Sequence, residues 1–315
     1  MSYEAPVERP SGRILTETLG SGDGAVSVGG ESALPFYLFD GEMPNRPVIA
    51  MEVFDAEPQG WPAAVTDALG DVLADPAAWA RACAETHGAD LVCVQLASTD
   101  PNGADTSPED AAACVRSVVD AVNVPVIVYG SGNADKDAEV LKKVAEVVSD
   151  TPLAIGPAVE DNYKAVTAAA LGYGHTVIAE TPIDVNMAKQ LNILITQMGL
   201  PAERILIDPS TGSIGYGIEY GYTVMERLRL AALGQNDAMT QMPMIVNLGK
   251  EAWRTKEARA TQDEEPAWGD GAKRGVLWEA CTAITMALAG ADVLVMRHPE
   301  AVRLVRTAID GLLEQ

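Results

Sequence analysis

Cysteine is scarce in this chain and scattered. Cys83, Cys93, Cys114 and Cys281 are the four present in 315 residues, and no two stand in C-x-x-C spacing. Iron–sulfur clusters and structural zinc need clustered thiolates, so the chain is expected to hold neither a cluster nor a metal. Buried free thiols in a reduced compartment are the expectation instead. Histidine occurs three times, at His87, His175 and His298, without H-E-x-x-H or any zinc spacing. No apolar run approaches membrane-spanning length. Met1 to Arg13 is polar and lacks an apolar core of signal-peptide length. A cytoplasmic protein with no membrane contact is expected. Positive charge is also short: 22 Lys and Arg stand against 45 Asp and Glu, a formal net charge of −23. That balance is opposite to a nucleic-acid-binding footprint, and an anionic membrane surface would repel it.

Hydrophobic residues make up 48% of the chain but aromatics only 5%, a composition of close-packed Ala- and Val-rich layers. Residues 13–41 alternate short apolar runs with glycine turns, including Asp23-Gly24, a hairpin signal. An N-terminal extension and antiparallel cap is expected over residues 1–45.

A rhythm then begins. Eight apolar runs, Val48–Val53, Asp90–Leu96, Val124–Tyr129, Pro152–Ile155, Thr176–Ala179, Arg204–Ile207, Pro243–Val246 and Asp292–Met296, read as parallel strands buried on both faces. Helical patterns lie between them, and Asp135–Ala145 shows apolar positions at helical spacing with charges between. Eight strands alternating with eight helices predict an α/β fold, a (β/α)8 TIM barrel over residues 46–315. An open doubly wound sheet is the alternative. It calls for a glycine-rich loop after the first strand, where this chain has Phe54-Asp55-Ala56-Glu57-Pro58.

Barrel chemistry collects where strands finish. Glu52 and Asp55, Glu180, Asp208 and Arg297-His298 fall at such ends, and asparagine follows five strands, at Asn102, Asn133, Asn162, Asn186 and Asn247. Each amide offers two donors and an acceptor, so a ring of them suits a neutral, heteroatom-rich ligand such as a pterin or the amides of a corrin. Turn and cap chemistry favours the same residues, and for any single one it is the competing reading.

The stretch from Met244 to Glu279 stands apart. A short apolar run ends on Asn247-Leu248-Gly249, a largely polar stretch of about twenty-five residues follows, and three of the five tryptophans, Trp253, Trp268 and Trp278, lie within it. Disordered segments are poor in aromatics, so order is expected. Either it is a surface loop pinned by tryptophans, or a site loop that places Asn247, Glu251 and Trp253 at the barrel mouth. A tryptophan there would offer a flat apolar face with one donor.

Four motifs then carry a resemblance: Val26-Ser27-Val28-Gly29-Gly30-Glu31 with Leu34-Pro35-Phe36-Tyr37; Gly130-Ser131-Gly132-Asn133 with Lys136-Asp137; Ile207-Asp208-Pro209-Ser210-Thr211-Gly212; and Glu251-Ala252-Trp253-Arg254 with Lys256-Glu257, Trp268-Gly269-Asp270, Arg274-Gly275 and Trp278-Glu279. From about Val26 to the C-terminus the chain resembles the small, or delta, subunit of the corrinoid iron–sulfur protein of the CO dehydrogenase/acetyl-CoA synthase pathway. The resemblance implies a barrel paired with a large subunit that carries a [4Fe–4S] cluster and holds most of the corrinoid (cobalamin). The pair would carry a methyl group from a methyl-tetrahydropterin or methyltetrahydrofolate donor, delivered by a pterin-dependent methyltransferase, to acetyl-CoA synthase. It assigns no catalytic residue to this chain. The barrel also looks distantly like methyl-pterin methyltransferases, where an Asp and Asn pair at the mouth binds the pterin and where Asp208 and Asn247 stand at comparable places. A free-standing barrel methyltransferase is therefore the second expectation. The expected contact residues are Asn102, Asn133, Asn162, Asp208, Asn247, Glu251 and Trp253.

Overall fold

Residues 6–314 are described by a computed structural model. Two antiparallel strands come first, β1 (Thr16–Leu19) and β2 (Val26–Gly29), joined by a short 3-10 turn. Eight strands follow: β3 (Val48–Phe54), β4 (Leu91–Gln95), β5 (Val126–Tyr129), β6 (Ala154–Ala158), β7 (Thr176–Glu180), β8 (Ile205–Asp208), β9 (Ile245–Val246) and β10 (Val293–Met296). All pair in parallel, in the order β8-β7-β6-β5-β4-β3-β10-β9. A single parallel bridge, Ile207 to Met244, joins β8 to β9 and completes the ring. The expected barrel and its N-terminal hairpin are both present.

Each strand is apolar on consecutive positions because it is covered twice. Val92, Val94, Val128, Ile155, Val177 and Ile207 face outward into the layer shared with the helices. Ala50, Leu91, Cys93, Ile127, Ile178 and Leu206 fill the barrel's inside. The helices bury their apolar stripes against the first set. Several open on strong caps: Asp75 accepts from Ala77 and Ala78 N–H, Ser107 from Asp110 N–H, Asp184 from Asn186 and Met187 N–H, and Asp270 from Ala272 and Lys273 N–H.

The hairpin closes one end of this ring. Leu19 and Val28 join the interior cluster, and Thr176, the first residue of β7, donates a 2.6 Å hydrogen bond to Glu17 Oε1. Gly20, at φ +75°, passes so close to Pro125 that a Cβ there would sit 2.8 Å from its ring. These contacts all lie where strands begin, so the barrel is stoppered at its N-terminal end and open at the other.

The stretch after β9 is more regular than a loop of that length. It folds as the short helices Leu248–Ala252 and Lys256–Arg259 and a 3-10 turn at Pro266–Trp268, before the long helix Gly271–Ala289. The reason is local: Thr255 caps the second short helix by accepting from Ala258 N–H, and Arg274 reaches back to the carbonyls of Glu257 and Ala260. Among the described residues no helix is long and apolar enough to cross a membrane.

Candidate functional site at the barrel mouth

Side chains alternate along a strand, so the interior positions can be counted upward. From Ala50 the count reaches Glu52; from Leu91 and Cys93, Gln95; from Ile127, Tyr129; from Ile178, Glu180; from Leu206, Asp208; from Ile245, Asn247; and from Val295, Arg297. The interior is thus apolar from the hairpin up to its last layer, where it becomes polar at seven positions.

These side chains are tied to one another. Arg297 Nε donates to Glu52 Oε2 at 2.6 Å, with both side chains buried. Gln95 Nε2 donates to Asn247 Oδ1 at 3.0 Å and to Glu52 Oε1 at 3.4 Å. Tyr129 donates its phenolic hydrogen to Asp208 Oδ2 at 2.8 Å, and Ser210 N–H donates to Asp208 Oδ1 at 2.9 Å. Thr211 Oγ1 donates to the Asn247 carbonyl at 3.1 Å.

The electrostatics follow from burial and from like charges. Glu180 and Asp208 are directly opposite on neighbouring strands. Burial lifts the Asp208 carboxyl to about 6, against the hydrogen bonds from Tyr129 and Ser210 that favour its ionised form. Burial, then the Asp208 charge, lifts Glu180 to about 8. Burial and the Asp208 charge push the Tyr129 hydroxyl far up as well, so it stays a donor. Lys250, half-buried just after β9, pulls both carboxyls down, and the Glu251 charge pushes both up. A carboxylic acid that keeps its proton at neutral pH can donate to a ligand or release that proton to it.

Of the seven residues expected at the mouth, Asp208 and Asn247 point into the barrel, and Glu251 stands close beside them, paired with Arg254 at 2.9 Å. The other four are placed differently. Asn102 is exposed, its N–H and amide both donating to Asp100 Oδ1. Asn133 is the N-cap of helix Ala134–Val147, accepting from Lys136 N–H. Asn162 is buried, and its amide binds Val159 N–H and the Pro157 carbonyl, locking its own turn. Trp253 is 2% exposed. Its indole N–H donates to Glu279 Oε2 at 2.7 Å and its ring stacks on His298, so it forms floor and offers almost no open face. Gly275 makes room for it: a Cβ there would sit 2.6 Å from the indole. His298, which follows the last strand, is an N-cap, and its Nε2 pairs with the Ala64 carbonyl.

Gln95 and Tyr129 lie inside apolar runs and are mouth residues that strand-end reading passes over. The signal for both is the period-two count from their interior neighbours.

Beside the ring a groove of about 390 Å³ opens between the segment after β3 and the segment after β9. Phe54 and Trp61 meet edge to face on one side, and the Arg297 guanidinium lies 3.9 Å over the Trp61 ring.

Comparison with known proteins places this architecture. A model of the family described as CO dehydrogenase/acetyl-CoA synthase delta subunit matches residues 17–308. The chain is 41% identical over 296 residues to the acetyl-CoA decarbonylase/synthase complex subunit delta of Methanopyrus kandleri, covering 94% of this chain and 72% of that relative. It is 39% identical to the subunit of the same name from Archaeoglobus fulgidus, covering 98% of this chain and 71% of the relative. Among solved structures, the dihydropteroate synthase of Yersinia pestis in a sulfonamide complex superposes with a TM-score of 0.59 at 13% identity, over 86% of this chain and 95% of that one. That of Xanthomonas albilineans with 4-aminobenzoic acid gives 0.58 at 16%, over 87% and 95%. Those two likenesses concern the fold alone.

Proposed function

The chain belongs to the CO dehydrogenase/acetyl-CoA synthase delta subunit family, and from that premise we propose that its barrel mouth is one wall of a methyl-transfer site. In this reading the chain is the small subunit of a cytoplasmic corrinoid iron–sulfur protein. A large partner subunit holds the [4Fe–4S] cluster and most of the corrinoid. The methyl group comes from a methyl-tetrahydropterin, through a pterin-dependent methyltransferase, and goes on to acetyl-CoA synthase. The corrinoid, when bound, supplies the metal that accepts and releases the methyl group.

The observation that carries this reading is the polar layer of Glu52, Gln95, Tyr129, Glu180, Asp208, Asn247 and Arg297 on top of an apolar, stoppered barrel. The open space beside it is small. Small-molecule sites run from about 300 to 1,000 Å³, and the groove that Gln95 and Arg297 share with this layer is about 390 Å³. A corrinoid must lie across such a mouth. The residues therefore fit a cover for the corrinoid, with the partner as its container. The four cysteines are spread over the fold: Cys93 is inside the barrel, Cys83 lies in the helix layer, the half-buried Cys114 is on the helix Pro108–Ala121 and the exposed Cys281 is on the helix Gly271–Ala289.

What the chain's own groups do follows from their placement. Asp208 and Asn247 present an acceptor and an amide to a ligand entering the mouth, and Glu180 keeps a proton at neutral pH. Glu251 adds negative charge at the rim. Asn102, Asn133 and Asn162 hold the surrounding loops in register, and Trp253 is part of the floor of the groove. The closed layer beneath them excludes water from below.

A second reading, a free-standing methyl-pterin:corrinoid methyltransferase, is favoured by the same layer, in which Asp208 and Asn247 offer an acceptor and an amide that suit a pterin ring. Anaerobic co-expression with the large subunit, followed by sedimentation and stopped-flow methylation, separates the two. A stable, coloured pair whose methylation depends on this chain supports the first. A colourless single chain that methylates an added corrinoid supports the second and overturns the first.

A further inference from the structure

The groove beside the mouth has the wrong sign for this protein. In the whole chain acids outnumber bases 45 to 22. Of the five charged residues that line the groove, four are cations, Lys250, Arg254, Arg259 and Arg297, and one is an acid, Asp100. Arg297 is committed to Glu52. The other three are not spent in the same way. Among the described residues Lys250 makes no ion pair and no side-chain hydrogen bond, while its charge is felt at Asp208 and Glu180. Arg259 is exposed and, among the described residues, reaches only the Gly60 carbonyl, at 3.5 Å. Arg254 is paired with Glu251 but remains 61% exposed. The three follow β9 in order, Lys250 in the helix Leu248–Ala252, Arg254 just after it and Arg259 at the end of the helix Lys256–Arg259, and all three line the groove. Guanidinium groups match carboxylate and phosphate oxygens in pairs of parallel hydrogen bonds, and a concave wall of low dielectric strengthens that attraction.

We propose that this groove is an anion-binding arm of the mouth: Arg254 and Arg259, with Lys250 at the inner end, hold the carboxylate or phosphate tail of a ligand whose ring is seated at Asp208 and Asn247. The inference rests on the methyl-transfer reading for the ring and on the groove's own charge for the tail. Two sources share the tail chemistry, the glutamyl carboxylates of a pterin donor and the nucleotide phosphate of a corrinoid.

Calorimetric titration of the full chain tests it, with four probes and an inorganic control. Pteroic acid and pteroyltriglutamate differ in carboxylates; cobinamide and cobalamin differ in the nucleotide phosphate; tripolyphosphate is anion alone. In the wild type at least one pair should show a preference of about tenfold or more for the more anionic member, weakening with added salt. Arg254→Gln/Arg259→Gln should abolish that preference, and Arg254→Lys/Arg259→Lys should keep most of it. The pair that discriminates identifies the tail. Equal affinities within both pairs, or a preference that survives in the Gln variant, overturns the proposal. Equal binding of pteroic acid to both proteins without any tail preference sinks the arm and leaves the mouth reading standing. Arginine-dependent binding of tripolyphosphate, with no binding of any pterin or corrinoid, keeps the anion site and overturns its link to the mouth. Binding of nothing overturns both. Circular dichroism checks that each variant is folded.

Discussion

Arg297 and Glu52 join the last strand of the barrel to the first, guanidinium to carboxylate at 2.6 Å, 245 residues apart in the chain. Both side chains are buried, and Glu52 also accepts from Gln95. Breaking one side of a buried pair leaves an uncompensated charge, at a cost of about 3–5 kcal/mol. Arg297→Ala should therefore lower the urea midpoint sharply, while Glu52→Gln/Arg297→Met, which removes both charges, should recover part of the loss. A single variant within 1 kcal/mol of wild type, about the scale of an exposed pair, would contradict the closure role.

Asn247 is held by Gln95 on its side chain and by Thr211 on its carbonyl. If it also contacts the methyl donor or the corrinoid, Asn247→Ala in the proposed heterodimer should slow methylation about tenfold or more, the size of one lost polar contact of ~1.4 kcal/mol. A folded variant with wild-type methylation kinetics would remove Asn247 from the site.

Tyr129 favours the ionised form of Asp208 through its donated hydrogen bond. Tyr129→Phe should raise the Asp208 titration above its value of about 6, read from the carboxyl carbon shift as pH is varied. An unchanged or lower value would mean that the Tyr129 hydroxyl does not hold Asp208 towards its ionised form.

Among the described residues, three glutamates outside the mouth are lifted by burial above their ordinary 4.5: Glu17 and Glu279 to about 7 and Glu31 to about 8. In each the folded state binds the proton more tightly than the unfolded chain. Their contribution is thus fully present below about 4.5 and is lost as pH rises through 7 and 8. Urea midpoints should be lower at about pH 8 than at about pH 5.5, and Glu17→Gln should flatten part of that decline. A midpoint that rises across the same interval would show that these acids are ionised when folded.

Much of the barrel is legible in the sequence because buried parallel strands are apolar on consecutive positions, and the helices between them carry Asp, Ser and Pro at their starts. The mouth is legible by halves. Asp208 and Asn247 end strands and can be read as interior, whereas Gln95 and Tyr129 are hidden inside apolar runs, where one polar residue looks like an exception. Asn102, Asn133 and Asn162 mislead for a physical reason: an amide that suits a ligand equally suits a turn, and local backbone partners are always at hand. The burial of Trp253 depends on Glu279 and Gly275, on a helix more than twenty residues further on. No local pattern encodes that meeting. The length of the stretch after β9 misleads too, since short capped helices leave weak periodicity.

The hairpin under the barrel leaves the molecule with one doorstep. Leu19 and Val28 cover the lower end of the packed interior, so a guest of the mouth arrives and departs on the opposite face alone. In the methyl-transfer proposal that face is also the one a large partner covers, and visitors would take turns: a small molecule is seated at the mouth before the partner swings over, and its remnant leaves only after that partner lifts. With two open faces the order of arrival would be free. With one it becomes a queue, and in that proposal partner mobility sets a ceiling on turnover.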